Sequence, residues 1–303
     1  MKDKLSNKDL AKLFQAAPGK KTRLKDFDPG WMGTPEMRKL GKDELKREAD
    51  ELLESNQKAL ADAQELLWAS DRYSILIVLQ AMDAAGKDGT IKHVMSGINP
   101  QGCSVQSFKK PSDEELDHNF LWRYWEAVPE RGKIAVFNRS HYEDVIVTRV
   151  HPEILELGKL PPGKRDEKFW EARYQDINAF ERHLARNGTV TLKFFLHLSK
   201  KEQKRRLLAR LDDPHKHWKF SPADLAERKR WSDYMDVYEK AINATSTKWA
   251  PWWIVPADHK FVSHVVVATI ITRAIESLKL EFPKLNADQK KQLAQSKKEL
   301  MAE

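Results

Sequence analysis

The sequence predicts an α/β fold in which a parallel sheet of about five strands is layered with helices and closed by a helical lid. Three observations carry this. Short β-rich runs at residues 74–79, 104–108, 133–137, 190–198 and 253–255 alternate with segments of helical period, as a buried parallel sheet requires. The first run passes directly into a Gly-containing turn and then a helix. A helical segment rich in Lys, Arg and Trp, at about 200–249, interrupts the alternation before the last strand, in the position of a lid.

Along the chain, residues 1–41 are rich in Lys, Gly and Pro, and Pro18-Gly19, Pro29-Gly30 and Pro35 break any period, which predicts an extended arm wrapping the body. A single domain over 42–283 follows. Leu45, Leu52, Leu53, Ala59, Leu60, Leu66 and Leu67 recur at helical spacing with no Gly or Pro, so 43–70 is an amphipathic helix. The next helix opens near Lys87, and Ser112 with Glu115 has capping-box spacing. Residues 153–165 read as a loop, 166–187 as a long helix ending before Gly188, and 284–303 as a polar helix or tail with no assigned function.

With 41% hydrophobic residues in 303, the chain can bury a sizeable core. Its longest apolar runs, 73–80 and 265–271, are too short to span a bilayer, and its Lys-rich start lacks a signal-peptide core, so neither a membrane nor a secreted setting is expected. The one cysteine, Cys103, reads as a buried structural thiol in a reducing, cytoplasmic protein, and no Cys/His cluster has zinc spacing. A net charge of +8 points to a polyanionic partner: nucleic acid, nucleotide, anionic lipid or polyphosphate.

Motifs narrow that choice. After the first strand comes Ala81-Met82-Asp83-Ala84-Ala85-Gly86-Lys87-Asp88-Gly89-Thr90, in the strand, turn and helix context of a phosphate loop. Small residues at 84–86 let backbone amides curl around phosphate oxygens, the helix offers its positive end, and Lys87 adds a point charge; Asp88, Gly89, Thr90 and Lys92 line the same helix start. Ala81 stands where the motif has Gly, and Asp88 where Ser or Thr would ligate magnesium. Asp83 is the compensating metal ligand, held against the phosphates directly or through water.

The third strand ends in Phe137-Asn138-Arg139-Ser140-His141-Tyr142-Glu143-Asp144, which sets polar groups at the carboxyl edge of the sheet, where ligands bind. Between 201 and 248, Lys204, Arg205, Arg206, Arg210, Lys216, Lys219, Arg228, Lys229 and Arg230 suit a repeating polyanion that has no base edges to read. Trp218, Trp231, Trp249, Trp252 and Trp253 are expected to pack the lid on the sheet, with one able to stack on adenine. His215 and His217 have hydrogen-bonding roles rather than acid-base ones. Phe108, Lys109 and Lys110 either border an acceptor nucleotide or make a plain strand-to-loop turn.

These two segments, with Arg210-Leu211-Asp212-Asp213-Pro214-His215-Lys216-His217-Trp218-Lys219-Phe220-Ser221-Pro222, then Arg228-Lys229-Arg230-Trp231 and Ala241-Ile242-Asn243-Ala244-Thr245-Ser246, resemble the polyphosphate kinase 2 family over about residues 45–280. The resemblance implies a P-loop kinase-like, three-layer fold, similar to thymidylate kinases, and transfer of the terminal phosphoryl group of polyphosphate to a nucleotide. It implies Mg²⁺, with Mn²⁺ as an alternative, and a homo-oligomer. Catalytic roles fall to Asp83, Lys87 and Arg139, and polyphosphate binding to Ala85, Gly86, Asp88, Gly89, Thr90, Lys92, Arg210, Lys216, Lys219, Arg228 and Arg230. Acceptor choice falls to Asn138, Glu143, Asp144, Phe108 and Lys109. Many members carry Asp in place of Asn138 and a neutral residue in place of Glu143; the Asn and Glu pair resembles the branch that takes both mono- and diphosphates. AMP, ADP and ATP are the implied nucleotides, with guanine nucleotides as further candidates and no nucleic acid. The rival readings are an ATP-dependent nucleotide kinase and a non-catalytic polyanion-binding protein with a salt-sensitive grip.

Overall fold

The computed structural model describes residues 7–303; the first six residues of the expected arm lie outside the described residues. The arm carries more regular structure than its Pro and Gly content predicts. α1 (Asn7–Leu13) is followed by β1 (Gln15–Ala16) and, after a 3-10 turn at Leu24–Asp26, by α2 (Pro35–Arg38). Leu10 and Phe14 are buried, so apolar contacts with the body stabilise a helix too short to stand alone.

The body begins with α3 (Lys42–Ser70), then β2 (Ser74–Gln80), α4 (Lys87–Val94), β3 (Cys103–Ser107), α5 (Asp113–Asp117), α6 (Trp122–Trp125) and β4 (Ile134–Asn138). It continues with α7 (Glu143–Val150), α8 (Glu153–Leu157), α9 (Glu167–Arg186) and β5 (Thr189–His197). The lid segment holds α10 (Lys200–Leu211), a 3-10 stretch at Pro214–Lys219, α11 (Pro222–Lys229) and α12 (Trp231–Thr245). β6 (Trp252–Pro256), α13 (Lys260–Glu276) and α14 (Ala287–Ala302) complete the chain. The capping box at Ser112 and Glu115 forms as expected. α8 replaces the first half of the expected loop at 153–165, closed by burial of Leu155. None of these helices is long and apolar enough to cross a membrane.

The sheet order is β1-β6-β5-β2-β4-β3, parallel except for β1, a sixth strand that the arm adds antiparallel to β6. All seven residues of β2 are buried, and its side chains alternate between two cores. Ile75, Ile77 and Leu79 meet α3, α4 and α13 on one face, while Leu76 and Val78 meet α7, α9 and α12 on the other. The β-branched run Val265–Val267 would favour a strand by propensity, but it is helical in α13 because that helix is buried between α3 and the sheet.

The expected lid is shorter than 200–249. α12 packs on α7 and α9 and buries Tyr234, Val237, Tyr238, Ala241 and Ile242, so it belongs to the body, and what is left of the expected lid beyond α10 is the 3-10 stretch and α11. The tryptophans divide accordingly. Trp252 and Trp253 are buried on opposite faces of β6, whereas Trp218 is 78% exposed and Trp249 is half-exposed, so neither of these two packs the lid down. Cys103 is only partly buried, at the start of β3; burial still pushes its thiol up to about 11.

Under the β4–α7 turn lies a fully buried ion pair. Lys193 donates to Glu181 at 2.6 Å, to the Tyr142 hydroxyl at 2.8 Å and to the Thr245 carbonyl at 2.8 Å. Glu181 also accepts from Tyr142 at 2.8 Å and meets His141 at 3.2 Å. Burial lowers the pKa of Lys193, and the Lys193 cation keeps Glu181 ionised against the same burial. Removing one partner strands the other charge in the core. Lys193→Met is therefore expected to cost about 3–5 kcal/mol in urea unfolding, and Lys193→Met with Glu181→Leu to recover most of it. A single variant within about 1 kcal/mol of the parent would show that the pair does not hold this turn.

Candidate active site

β2 and β4 are neighbours in the sheet, so the two polar segments at their carboxyl ends meet. The turn after β2 winds through Ala84 at φ 64° and Gly86 at φ 107°, and α4 starts at Lys87 with no side-chain cap on its first amides. Alternating left-handed residues with an uncapped helix start leaves backbone N–H groups unclaimed, and the helix dipole adds positive potential. Such a cradle suits a phosphate group. Lys87 donates to the Ala81 carbonyl at 3.1 Å. Desolvation pulls its pKa down, Asp83, Glu143 and Asp88 oppose that, and Arg139 reinforces it, so these four charged groups surround the ammonium. Thr90 lies buried in the first turn of α4, while Asp88 and Lys92 are exposed on it.

Arg139, itself at φ 65°, bridges the two segments. It reaches Asp83 at 3.3 Å and Glu143 at 3.5 Å, and its side chain remains 44% exposed. The Glu143 carboxylate is the main influence raising its pKa, so it stays a cation. Asn138 donates to Asp88 at 2.8 Å. An aspartate at 138 would set two carboxylates face to face there, which ties the neutral residue at 138 to the unusual Asp88 of this loop. Among the described residues no three His, Cys, Asp or Glu side chains cluster as a metal cage. Magnesium does not need one: it is held by one or two carboxylates and completed by phosphate oxygens and water, and Asp83, 30% exposed beside Arg139, offers such a carboxylate.

Asp144 faces away from the loop into a pocket lined by Glu115, His118, Phe120, Arg123 and Arg173. The Tyr124 hydroxyl donates to its carboxylate at 2.8 Å, and Arg123 donates to that hydroxyl at 2.6 Å. Burial pushes Asp144 up to about 6 despite the nearby Arg123 cation. Of the other residues expected near an acceptor, Lys109 is exposed, but Phe108 is 5% exposed and packs edge-on against Phe137 and tilted against Tyr124. Phe108 is a core residue at this sheet edge and offers no ring face to a nucleotide.

The basic lid residues separate into free and committed groups. Lys216 and Lys219 are exposed, the first paired with Asp213 at 2.6 Å and the second over the Trp218 ring at 4.9 Å. Arg210 reaches Asp224 at 3.3 Å, and the Asp83 carboxylate helps raise the Asp224 pKa after burial, which sets this part of the lid within electrostatic reach of the loop. Arg230 is tied to His151 at 3.2 Å and Asp233 at 3.4 Å. Arg228 donates to the Lys200 carbonyl and to Gln203, both at 2.8 Å. His217 has the hydrogen-bonding role expected of it, on the Leu211 carbonyl at 2.8 Å. Arg206 is not part of an open funnel, contrary to expectation: it is 8% exposed and turned onto backbone carbonyls of the phosphate loop. Sequence reasoning also missed Arg123, Tyr124, Arg173 and Gln203, which lie in segments with no phosphate motif.

Comparison with known proteins agrees with this geometry. The family model described as Polyphosphate kinase 2 (PPK2) matches residues 42–283. The ADP-polyphosphate phosphotransferase of Rhodopseudomonas palustris is 52% identical over 259 residues, covering 85% of this chain and 90% of that protein. The AMP/ADP-polyphosphate phosphotransferase of Meiothermus ruber is 43% identical over 272 residues, covering 90% and 95%. The crystal structure of polyphosphate kinase 2 from Arthrobacter aurescens superposes with a TM-score of 0.82 at 39% identity, over 95% of this chain and 96% of that one. With the β2–α4 turn and the Arg139 bridge both inside the matched region, the chain belongs to the polyphosphate kinase 2 family.

Proposed function

We propose that this chain transfers the terminal phosphoryl group of inorganic polyphosphate to AMP and ADP, and runs the reverse reaction from ATP. The observation that carries this reading is the grouping of Lys87 with Asp83, Asp88, Arg139 and Glu143 at the mouth of an uncapped helix. The names of the relatives from Rhodopseudomonas palustris and Meiothermus ruber support the substrates. In this reading Lys87 and the amides of the loop hold the end of the polyphosphate, and Arg139 neutralises charge on the transferring group. Gly89, Thr90 and Lys92 continue the anion site along α4. Arg210, Lys216 and Lys219 grip the chain further out by charge, with the remaining donors of Arg228 and Arg230 beside them.

The acceptor phosphate is already ionised at neutral pH, so its oxygen attacks phosphorus in line and needs no base; the bond to the bridging oxygen breaks and the shortened polyphosphate leaves as an anion. Asp83 and Asp88 are the carboxylates that fit Mg²⁺ or Mn²⁺, which when bound would offset phosphate charge. Asn138, Glu143, Asp144 and Lys109 border the acceptor side. Closure of the lid over both ligands would exclude water and limit hydrolysis. A cytoplasmic homo-oligomer acting on adenine nucleotides, with guanine nucleotides as further candidates, completes the proposal.

Nucleotide analysis after incubation with Mg²⁺, long-chain polyphosphate and either AMP or ADP tests this reading, with ATP plus AMP as the control pair. ADP and ATP formed from AMP only in the presence of polyphosphate is the expected result. Product from ADP alone would remove AMP as an acceptor, and conversion confined to the control would make ATP the donor. Lys87→Ala should lower turnover by about 10²–10³ while the fold is retained, as circular dichroism would report; an active variant would sink the model.

Asp144 gives a second test, in stability. Its folded pKa of about 6 lies above the 3.8 of a free aspartate, so the folded state holds the proton more tightly. The associated stability is present below pH 3.8 and is lost as pH rises through 6. Asp144→Asn lacks this titration. Between pH 4 and pH 7 its unfolding free energy should therefore improve relative to the parent by at most about 3 kcal/mol, read by urea titration at both pH values. A difference that does not change with pH would show that Asp144 is already ionised at pH 4.

A further inference from the structure

α10 stands against the back of the phosphate loop, and two of its side chains are used on that loop's backbone. Gln203 is 1% exposed; its amide donates to the Asp83 carbonyl at 3.0 Å, and its oxygen accepts from Arg228 of α11 at 2.8 Å. Arg206 donates through Nη1 to the Ala84 carbonyl at 3.1 Å and the Ala85 carbonyl at 2.8 Å. Through Nη2 it donates to the Ala257 and Asp258 carbonyls at 2.6 and 3.1 Å, and through Nε to Glu202 at 2.8 Å. Both guanidinium amines and Nε are engaged in a buried setting, so Arg206 does not reach a substrate. Its work is on the loop.

Three consecutive carbonyls, those of Asp83, Ala84 and Ala85, are thus held on one side by one helix. In a trans peptide the N–H points opposite to the C=O, so pinning these carbonyls turns the amides of Ala84, Ala85 and Gly86 the other way. Ala85 uses its amide in a turn to Met82 at 3.2 Å, which leaves those of Ala84 and Gly86 to face an anion. Ala84 holds φ 64°, a region that alanine rarely adopts and that persists only where its surroundings over-determine it. Carbonyl clamps on both sides of its Cα supply that determination. Gln203 also links the clamp to the lid, because the side chain that holds Asp83 is the one that Arg228 holds.

We propose that Gln203 and Arg206 are positioning residues for phosphoryl transfer: they set the peptide planes of the phosphate loop and, through Arg228, tie that geometry to the position of the lid. The assignment rests on the phosphotransferase reading of the site, although the clamp acts on the loop whichever phosphate donor is used. Loss of the clamp misdirects amides needed when charge develops in transfer, whereas the outer lid lysines still hold the donor, so kcat falls more than KM rises.

Gln203→Glu is the discriminating variant, because it retains an acceptor for Arg228 but loses the donor to Asp83. It and Gln203→Leu should each lower kcat about tenfold or more, with the donor KM within about threefold of the parent and the fold retained by circular dichroism at the assay temperature. Deuterium uptake should rise in the peptide that spans the loop and not across the sheet. Arg206→Lys, which keeps the charge but loses the fork, should recover less than a tenth of parental kcat. If Arg206 variants do not fold, the Gln203 pair decides alone. Parental kcat and parental loop exchange in Gln203→Glu would overturn the proposal, as would a rise in KM with kcat intact. Should the unsubstituted protein work only from ATP, the polyphosphate reading falls while the same kcat comparison is made with ATP. Should it convert no nucleotide, loop exchange alone decides.

Discussion

The placement of β2 between β4 and β5 is the constraint on which the site depends. β2 pairs with β4 from Ile75 to Leu79 and with β5 from Ser74 to Gln80, and it is buried throughout. A strand fixed on both edges and both faces cannot slip by one residue without moving its whole apolar set into the wrong core. The segment that leaves its carboxyl end is therefore launched from a fixed point. Because β4 ends beside it, Arg139 is launched from a neighbouring fixed point, and its own amide bonds back to the Leu79 carbonyl at 3.1 Å. The bridge from Arg139 to Asp83 is long at 3.3 Å and half-exposed, too weak by itself to align two loops. Alignment comes from the sheet, and the bridge only reports it.

A second theme is how positive charge is divided. The chain carries 53 Lys and Arg residues, enough that a simple reading makes all of them ligands for a polyanion. The fold uses them in three ways. Lys193, Arg206 and Arg173 are buried and spend their donors on protein oxygens, so they shape the site without facing it. Lys87 and Arg139 stand at the mouth, partly desolvated, where their fields are less screened than those of the exposed lysines. Lys216, Lys219 and Lys92 are exposed and can follow a flexible chain, at the low energy that exposed charges carry. Such a gradient suits a donor that must slide out after each transfer.

Much of this was legible in the sequence. The largely apolar runs of β2, β4, β5 and β6 and the long apolar periods of α3 and α9 made those elements readable, β3 and α4 followed from the alternation and from the turn after β2, and the loop motif was readable because its residues are contiguous. What escaped was non-local. β1 is two residues long and exists only because β6 presents an edge for it. α12 reads as lid by its position in the chain, yet its apolar stripe at Tyr234, Val237, Tyr238 and Ala241 already has the width of a core-facing helix. Arg206 sits among the lid's basic residues in sequence, and nothing local separates it from Arg205, which is exposed and paired with Glu202 at 2.7 Å. Only the packing of α10 on the loop sends one inward. Phe108 was misjudged for the converse reason: its place at the end of a strand says nothing of the direction of its ring.

The electrostatics of Lys87 join these themes. Burial works against its charge and lowers its pKa, and Asp83, Glu143 and Asp88 offset part of that cost. These same acids repel an incoming polyanion, so they must be offset as it arrives. Arg139 already engages two of them, Asp83 and Glu143, and Asn138 holds Asp88 as a neutral donor. A phosphate oxygen in place of the Ala81 carbonyl would bring greater negative charge to Lys87 and favour its ammonium form. The acids that favour charge on Lys87 are each tethered elsewhere, Asp83 and Glu143 by Arg139 and Asp88 by Asn138, so they offset part of the cost of its burial while the ammonium itself bonds to the Ala81 carbonyl.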